Sequence, residues 1–108
     1  MTVDLVNIQR LTNKHEGIDV EFKETTGQLD RGMESLCGML NGSGGIVVFG
    51  IKNSGKIVGQ EIGDKTTRMI GEALCRFEPS VDIQPKYIRL NDSDKHLIVF
   101  ESEGNNPD

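Results

Sequence analysis

Gly42-Ser-Gly-Gly45 runs directly into Ile46-Val-Val-Phe49, and Gly50-Ile-Lys-Asn-Ser-Gly55 follows at once. This stretch restricts the fold more than any other. The apolar run is too short and too β-branched for a helix, and suits a central strand covered on both faces. Asn53-Ser54-Gly55 then turns the chain back into Lys56–Gln60, which predicts a hairpin. Glycines cluster where the backbone needs positive φ or must let another chain or ligand come close. The segment is therefore either a tight structural corner or the floor of a site.

The flanking sequence alternates between helical and extended periodicity. Val3 to Lys14, apolar at Leu5, Ile8 and Leu11, predicts a short amphipathic helix. Ile18 to Lys23 predicts a strand with Val20 and Phe22 on one face and Glu21 and Lys23 on the other. Leu29, Met33, Leu36, Cys37 and Leu40 recur at helical spacing and stop at Asn41-Gly42, a C-cap signal. A further helix is expected from Asp64 as N-cap through Met69, Ile70, Ala73, Leu74 and Phe77, ending before Glu78-Pro79. Strands over Ile83–Leu90 and His96–Ser102 are joined by the turn Asn91–Asp94.

The expected order is α-β-α-β-β-α-β-β. It predicts a two-layer α/β (α+β) domain in which helices pack against one mixed sheet. Hairpin partners should be antiparallel and strands joined over helices parallel. With 108 residues, the chain has room for one core, and residues 1–108 read as one domain. The polar string Gly104–Asp108 suggests that the chain is the N-terminal fragment of a longer protein.

The formal net charge of -5 argues against a uniformly basic nucleic-acid binder, but it is unevenly distributed. Residues 1–77 hold nine Lys or Arg against ten Asp or Glu, and residues 78–108 hold three against seven. A local basic face therefore remains compatible with the first part of the chain. Cys37 and Cys75 fall in helical patterns and read as buried free thiols of a cytoplasmic protein. No apolar run reaches membrane-spanning length.

Several motifs are incomplete. Gly50-x4-Gly55-Lys56 matches the start of a phosphate-binding P-loop, but Ile57 stands where Ser or Thr would hold magnesium, and the sequence after Lys56 alternates like a strand instead of opening a helix. Gly42–Gly45 reads as a C-cap with a tight turn, or as a nest of amides for phosphate oxygens. Glu16, Asp19, Glu21 and Glu24 surround the first strand. Such carboxylates form a solvated edge or hold magnesium or manganese for phosphodiester cleavage, and Lys23 offers plain charge compensation. His15 and His96 lack partners at zinc-ligand spacing, and Ser43 precedes a strand, the wrong place for a nucleophile elbow.

Taken together, four blocks resemble the Schlafen Alba-like domain of bacterial transcriptional regulators. They are Glu16-x4-Glu21-Phe-Lys23, Leu36-Cys-Gly-Met-Leu-Asn41-Gly-Ser-Gly-Gly45, Val48-Phe-Gly-Ile51 and Gly55-Lys-Ile-Val-Gly59. The resemblance implies a nucleic-acid-binding domain, usually followed by further domains. Some relatives are endoribonucleases with two glutamates and an aspartate around a metal. Glu16 and Glu21 match the glutamates by spacing, and Lys52-Asn53 replaces the aspartate. A lysine there repels a cation and suits a phosphate.

Three readings follow. The first is a DNA-binding module in transcriptional control, with Lys23, Lys52 and Lys56 on phosphates and Asn41, Gly44 and Gly45 shaping a nearby turn; it needs no cofactor. The second is a nuclease that uses magnesium or manganese at Glu16 and Glu21. The third is an oligomerisation or protein-interaction module. A homodimer is compatible with all three.

Overall fold

The computed structural model describes residues 20–77, 83–91 and 93–103. In chain order these form β1 (Val20–Lys23), α1 (Leu29–Asn41), β2 (Gly44–Phe49), α2 (Asp64–Leu74), β3 (Lys86–Arg89) and β4 (His96–Glu103), with a 3-10 turn over Thr26–Gln28. The expected helix over Val3–Lys14 and the residues His15, Glu16, Ile18 and Asp19 lie outside the described part.

The four strands form one mixed sheet in the order β1-β2-β4-β3. β1 and β2, joined over α1, are parallel, whereas β4 is antiparallel to both β2 and β3. The crossover over α2 thus carries the chain from β2 to the far edge, and β4 returns between them. This is the predicted two-layer α/β architecture.

Both faces of β2 are buried, as its unbroken apolar run requires. Val47 and Phe49 join Leu29, Met33, Leu36, Met39, Ile70, Ile98 and Phe100 beneath the helices. Ile46 and Val48 face the other way, with Phe22, Ile51, Leu97 and Val99. Phe49 and Phe100 meet edge to face with centroids 5.8 Å apart, an arrangement favoured by the ring quadrupoles. Helix α1 presses close to this pair. A Cβ on Gly32 would lie 2.3 Å from Phe49 Cζ, so a residue that is poor for helix propensity is required there by packing.

Four expectations need correction. The hairpin after β2 forms, but its return limb, Lys56–Gln60, is not a strand. It makes only the single bridges Ile51↔Ile57 and Gln60↔His96, because Val58 and Gly59 both donate to the Gly50 carbonyl and Gly59 takes φ 68°. Helix α2 is capped by Gly63 and not Asp64, with the Thr66 hydroxyl accepting from the Gly63 amide at 3.2 Å. α2 also ends at Leu74, short of Phe77. Finally, Cys37 and Cys75 are free but exposed. The buried stripe of α1 runs through Leu29, Gly32, Met33, Leu36 and Met39, and Cys37, one residue past Leu36, is turned about 100° off it.

Candidate nucleic-acid interface

The register brings four chain ends together. Lys23 pairs with Phe49 and Phe49 with Ile98, while Arg89 pairs with His96. The ends of β1, β2 and β3 and the start of β4 therefore share one edge of the domain, and two turns project there, one over residues 50–60 and one that includes residues 90–91 and 93–95.

Glycine conformations fix both turns. Gly50 and Gly59 have φ of 111° and 68°. A Cβ on Gly59 would lie 2.6 Å from Leu90 Cδ1 and 2.9 Å from Lys95 Cβ, and one on Gly50 would lie 2.8 Å from Leu97 Cδ2 and 3.1 Å from Gly59 Cα. Only bare backbone lets the turns approach this closely. Gln60 and His96 exchange both backbone hydrogen bonds, at 2.9 and 2.8 Å. On the other side, the Lys23 carbonyl accepts from the Gly50 and Ile51 amides at 2.7 and 3.1 Å.

Lys52 and Lys56 stand across the turn tip from each other. The Lys52 amide donates to the Lys56 carbonyl at 2.9 Å, and the Gly55 amide donates to the Lys52 carbonyl at 2.8 Å with Gly55 at φ 92°. Their neighbours Ile51 and Ile57 bridge and pack into the core, so the exposed lysines project from the other side of the ribbon. No acid occurs between Gly50 and Gln60. The same geometry disposes of the P-loop: Gly55-Lys56-Ile57 ends in a bridge and opens no helix.

Lys95 and Arg89 were not singled out in the sequence, because strand pairing alone brings them to this edge. Arg89 Nε donates to the Ser93 carbonyl at 3.0 Å and the Ser93 hydroxyl accepts from the Lys95 amide at 2.8 Å, bracing the second turn. The His96 ring nitrogen Nδ1 lies 3.1 Å from the Asp94 carbonyl. Exposed Glu24, Glu61 and Asp94 border the same edge, so positive charge is concentrated at the tips and not spread over a plate.

Lys23 is already engaged. Its ammonium sits 3.0 Å from Glu21 Oε1, and the side chain is only 16% exposed. Burial pushes the Glu21 carboxyl up, but a hydrogen bond with Ser35, together with the hydrogen bond and charge of Lys23, outweighs it and leaves the group below its ordinary value. Glu21 is thus an ionised partner of lysine on the helical side of the sheet. Glu16 and Asp19, the other carboxylates considered for a metal, lie outside the described residues. Among the described residues, no three His, Cys, Asp or Glu are grouped to hold a metal ion.

Asn41, Gly44 and Gly45 fall at the opposite end of β2. Five residues of rise separate Gly44 from Phe49, about 16 Å. Gly44 and Gly45 belong to the ladder with β4, opposite Glu103 and Ser102, and the Asn41 amide nitrogen lies 3.9 Å from Cys37 Sγ. The six candidates for nucleic-acid contact therefore form two groups, with the lysines at one end and Asn41 and the glycines at the other.

Residues 16–108 match the family described as Schlafen, AlbA_2. A similar solved structure is the solution NMR structure of the N-terminal domain of a protein from Nitrosomonas europaea described as related to the ATP-dependent DNA helicase RecG. The two share 17% identity with a TM-score of 0.73, over 97% of this chain and 76% of that one. No curated protein sequence matches the chain. Among the described residues, no helix is long and apolar enough to cross a membrane.

Proposed function

The chain belongs to the Schlafen, AlbA_2 family, and from that premise we propose that it is a nucleic-acid-binding module, with DNA as the ligand. The observation that carries the reading is the Lys52–Lys56 turn: two exposed lysines with no acid between Gly50 and Gln60, on a chain of net charge -5. Phosphate contacts need accessible cations at fixed spacing, and this turn provides two. Lys23 supports them by orienting the turn through its carbonyl while Glu21 holds its ammonium.

The name of the Nitrosomonas europaea relative, which refers to a DNA helicase, supports DNA over RNA, and its being an N-terminal domain supports attachment to further domains. A cytoplasmic place in transcriptional control and pairing with a second copy complete the proposal. The nuclease reading has less support, because Glu21 is bound by Lys23 and Lys52 takes the place where an acid would be needed.

Fluorescence anisotropy of a labelled DNA duplex at rising salt tests the reading. Saturable binding that weakens with salt, and its loss in the double variant Lys52→Glu, Lys56→Glu, is expected. Retained binding in that variant would remove the turn from the interface.

A further inference from the structure

Resting on that phosphate-binding reading, we infer that the ligand is a double strand, gripped on its phosphates by two adjacent turn tips: Lys52 and Lys56 on one, Lys95 on the other. Three observations on different parts of the molecule lead to this.

The tips form one rigid unit. Lys95 Cβ would lie 2.9 Å from a Cβ on Gly59, and the paired hydrogen bonds between Gln60 and His96 lock the second turn to the first. Lys56 is three residues from Gly59, so at most about 11 Å of chain separates them. Lys52 faces Lys56 across the tip. The three lysines thus belong to one surface, formed by the two packed turns.

No phenylalanine, tyrosine or tryptophan is available for stacking at this patch. Single strands are held chiefly by bases stacked on aromatic side chains over a basic groove. All four phenylalanines and the one tyrosine of the chain are described, and none is exposed. Phe49, Phe77, Phe100 and Tyr87 belong to the core cluster beneath the helices, and Phe22 to the cluster on the other face. Among the described residues at the tips, the only ring is that of His96, which lies beside the Asp94 carbonyl.

Among the described residues, the two other cations at this edge make contacts of their own. Lys23 pairs with Glu21, and Arg89 spans its own turn to Ser93. Lys52, Lys56 and Lys95 are therefore the exposed lysines of the two tips, and a rigid three-point grip without phenylalanine, tyrosine or tryptophan to stack on suits the regular phosphate rows of a duplex.

The test uses this chain with a labelled 20-base-pair DNA duplex, a second duplex of scrambled sequence and one of the single strands, at several salt concentrations. Both duplexes should bind alike and more tightly than the single strand, with log K falling against log salt at a slope of about -2.7 for three phosphates. Lys95→Glu should weaken duplex binding and make the slope shallower by about one. Lys86→Glu, the same charge change at the exposed start of β3 away from the tips, should leave the slope unaltered. Circular dichroism confirms that each variant is folded.

Equal or tighter binding of the single strand would overturn the duplex assignment. A Lys95→Glu protein indistinguishable from Lys86→Glu would overturn the two-tip grip; if the Lys52, Lys56 double variant still lost binding, the phosphate reading itself would stand. No binding to any probe at low salt would overturn both.

Discussion

The two ends of β2 are both rich in glycine, yet their surroundings differ in kind. At the start, Gly44 and Gly45 are sheet residues, with Glu103 at the facing register position. At the finish, Gly50 and Gly59 allow two turns to pack together, and the turns carry Lys52, Lys56 and Lys95 at their tips. A glycine cluster therefore marks a place where backbone comes close to something. What it comes close to, and which charges the neighbours bring, decides whether the place can hold a ligand.

The largest expected effect is at the finish. Gly59→Ala combines the strain of a side chain at φ 68° with overpacking against Leu90 and Lys95. The strain costs about 1–2 kcal/mol and the overpacking about 1–3 kcal/mol, so a loss of roughly 2–5 kcal/mol is expected in urea unfolding. Duplex affinity measured where the variant is still folded should also drop, because the turns must move apart. An unchanged midpoint would show that the turns are not packed as described.

Gly44→Ala is the matching change at the start. Gly44 sits at φ 89°, and strain alone predicts a loss of about 1–2 kcal/mol. Duplex affinity should not change, since Gly44 lies about 16 Å from the end of its strand at which the lysines gather. An affinity loss larger than the stability loss explains would return Asn41, Gly44 and Gly45 to the interface and erase the contrast between the ends.

Much of this fold was legible in the sequence, for reasons that particular residues make clear. Ile46-Val-Val-Phe49 suited a strand buried on both faces, and the helical stripe ending at Asn41-Gly42 gave α1 to within a residue of its limits. Both signals are local. The family resemblance, carried by blocks along the chain, is met by the match over residues 16–108. The site was less legible because it is assembled by pairing. Lys95 approaches Gly59 only after β4 has inserted between β2 and β3, and no spacing in the chain encodes that contact. Lys23 could be read as a phosphate contact or as charge compensation for Glu21, and nothing local showed that Ser35, on α1, would help to hold Glu21 beside it. Cys37 was misplaced by one helical step, a shift that apolar periodicity resolves poorly when cysteine is adjacent to leucine.

The smallest effect probes the pair that separates Lys23 from the exposed lysines. Because the Glu21 carboxyl is held below its ordinary value of 4.5, the folded state binds its proton less readily than the unfolded chain does. Its stabilising contribution is therefore complete above the unfolded value and fades as pH falls through the lower folded one. Glu21 and Lys23 are partly open to solvent, so the contribution is less than about 1 kcal/mol. Glu21→Gln should lower stability by that amount at pH 7 and by progressively less below pH 4.5, which paired urea titrations at the two pH values can measure. The same variant frees the Lys23 ammonium at the edge where the turn tips lie. If Lys23 then reaches a phosphate, duplex binding should tighten and its salt slope steepen by up to about one. Unaltered binding would mean that the ion pair is not what keeps Lys23 from the ligand, and that its place on the helical side of the sheet suffices.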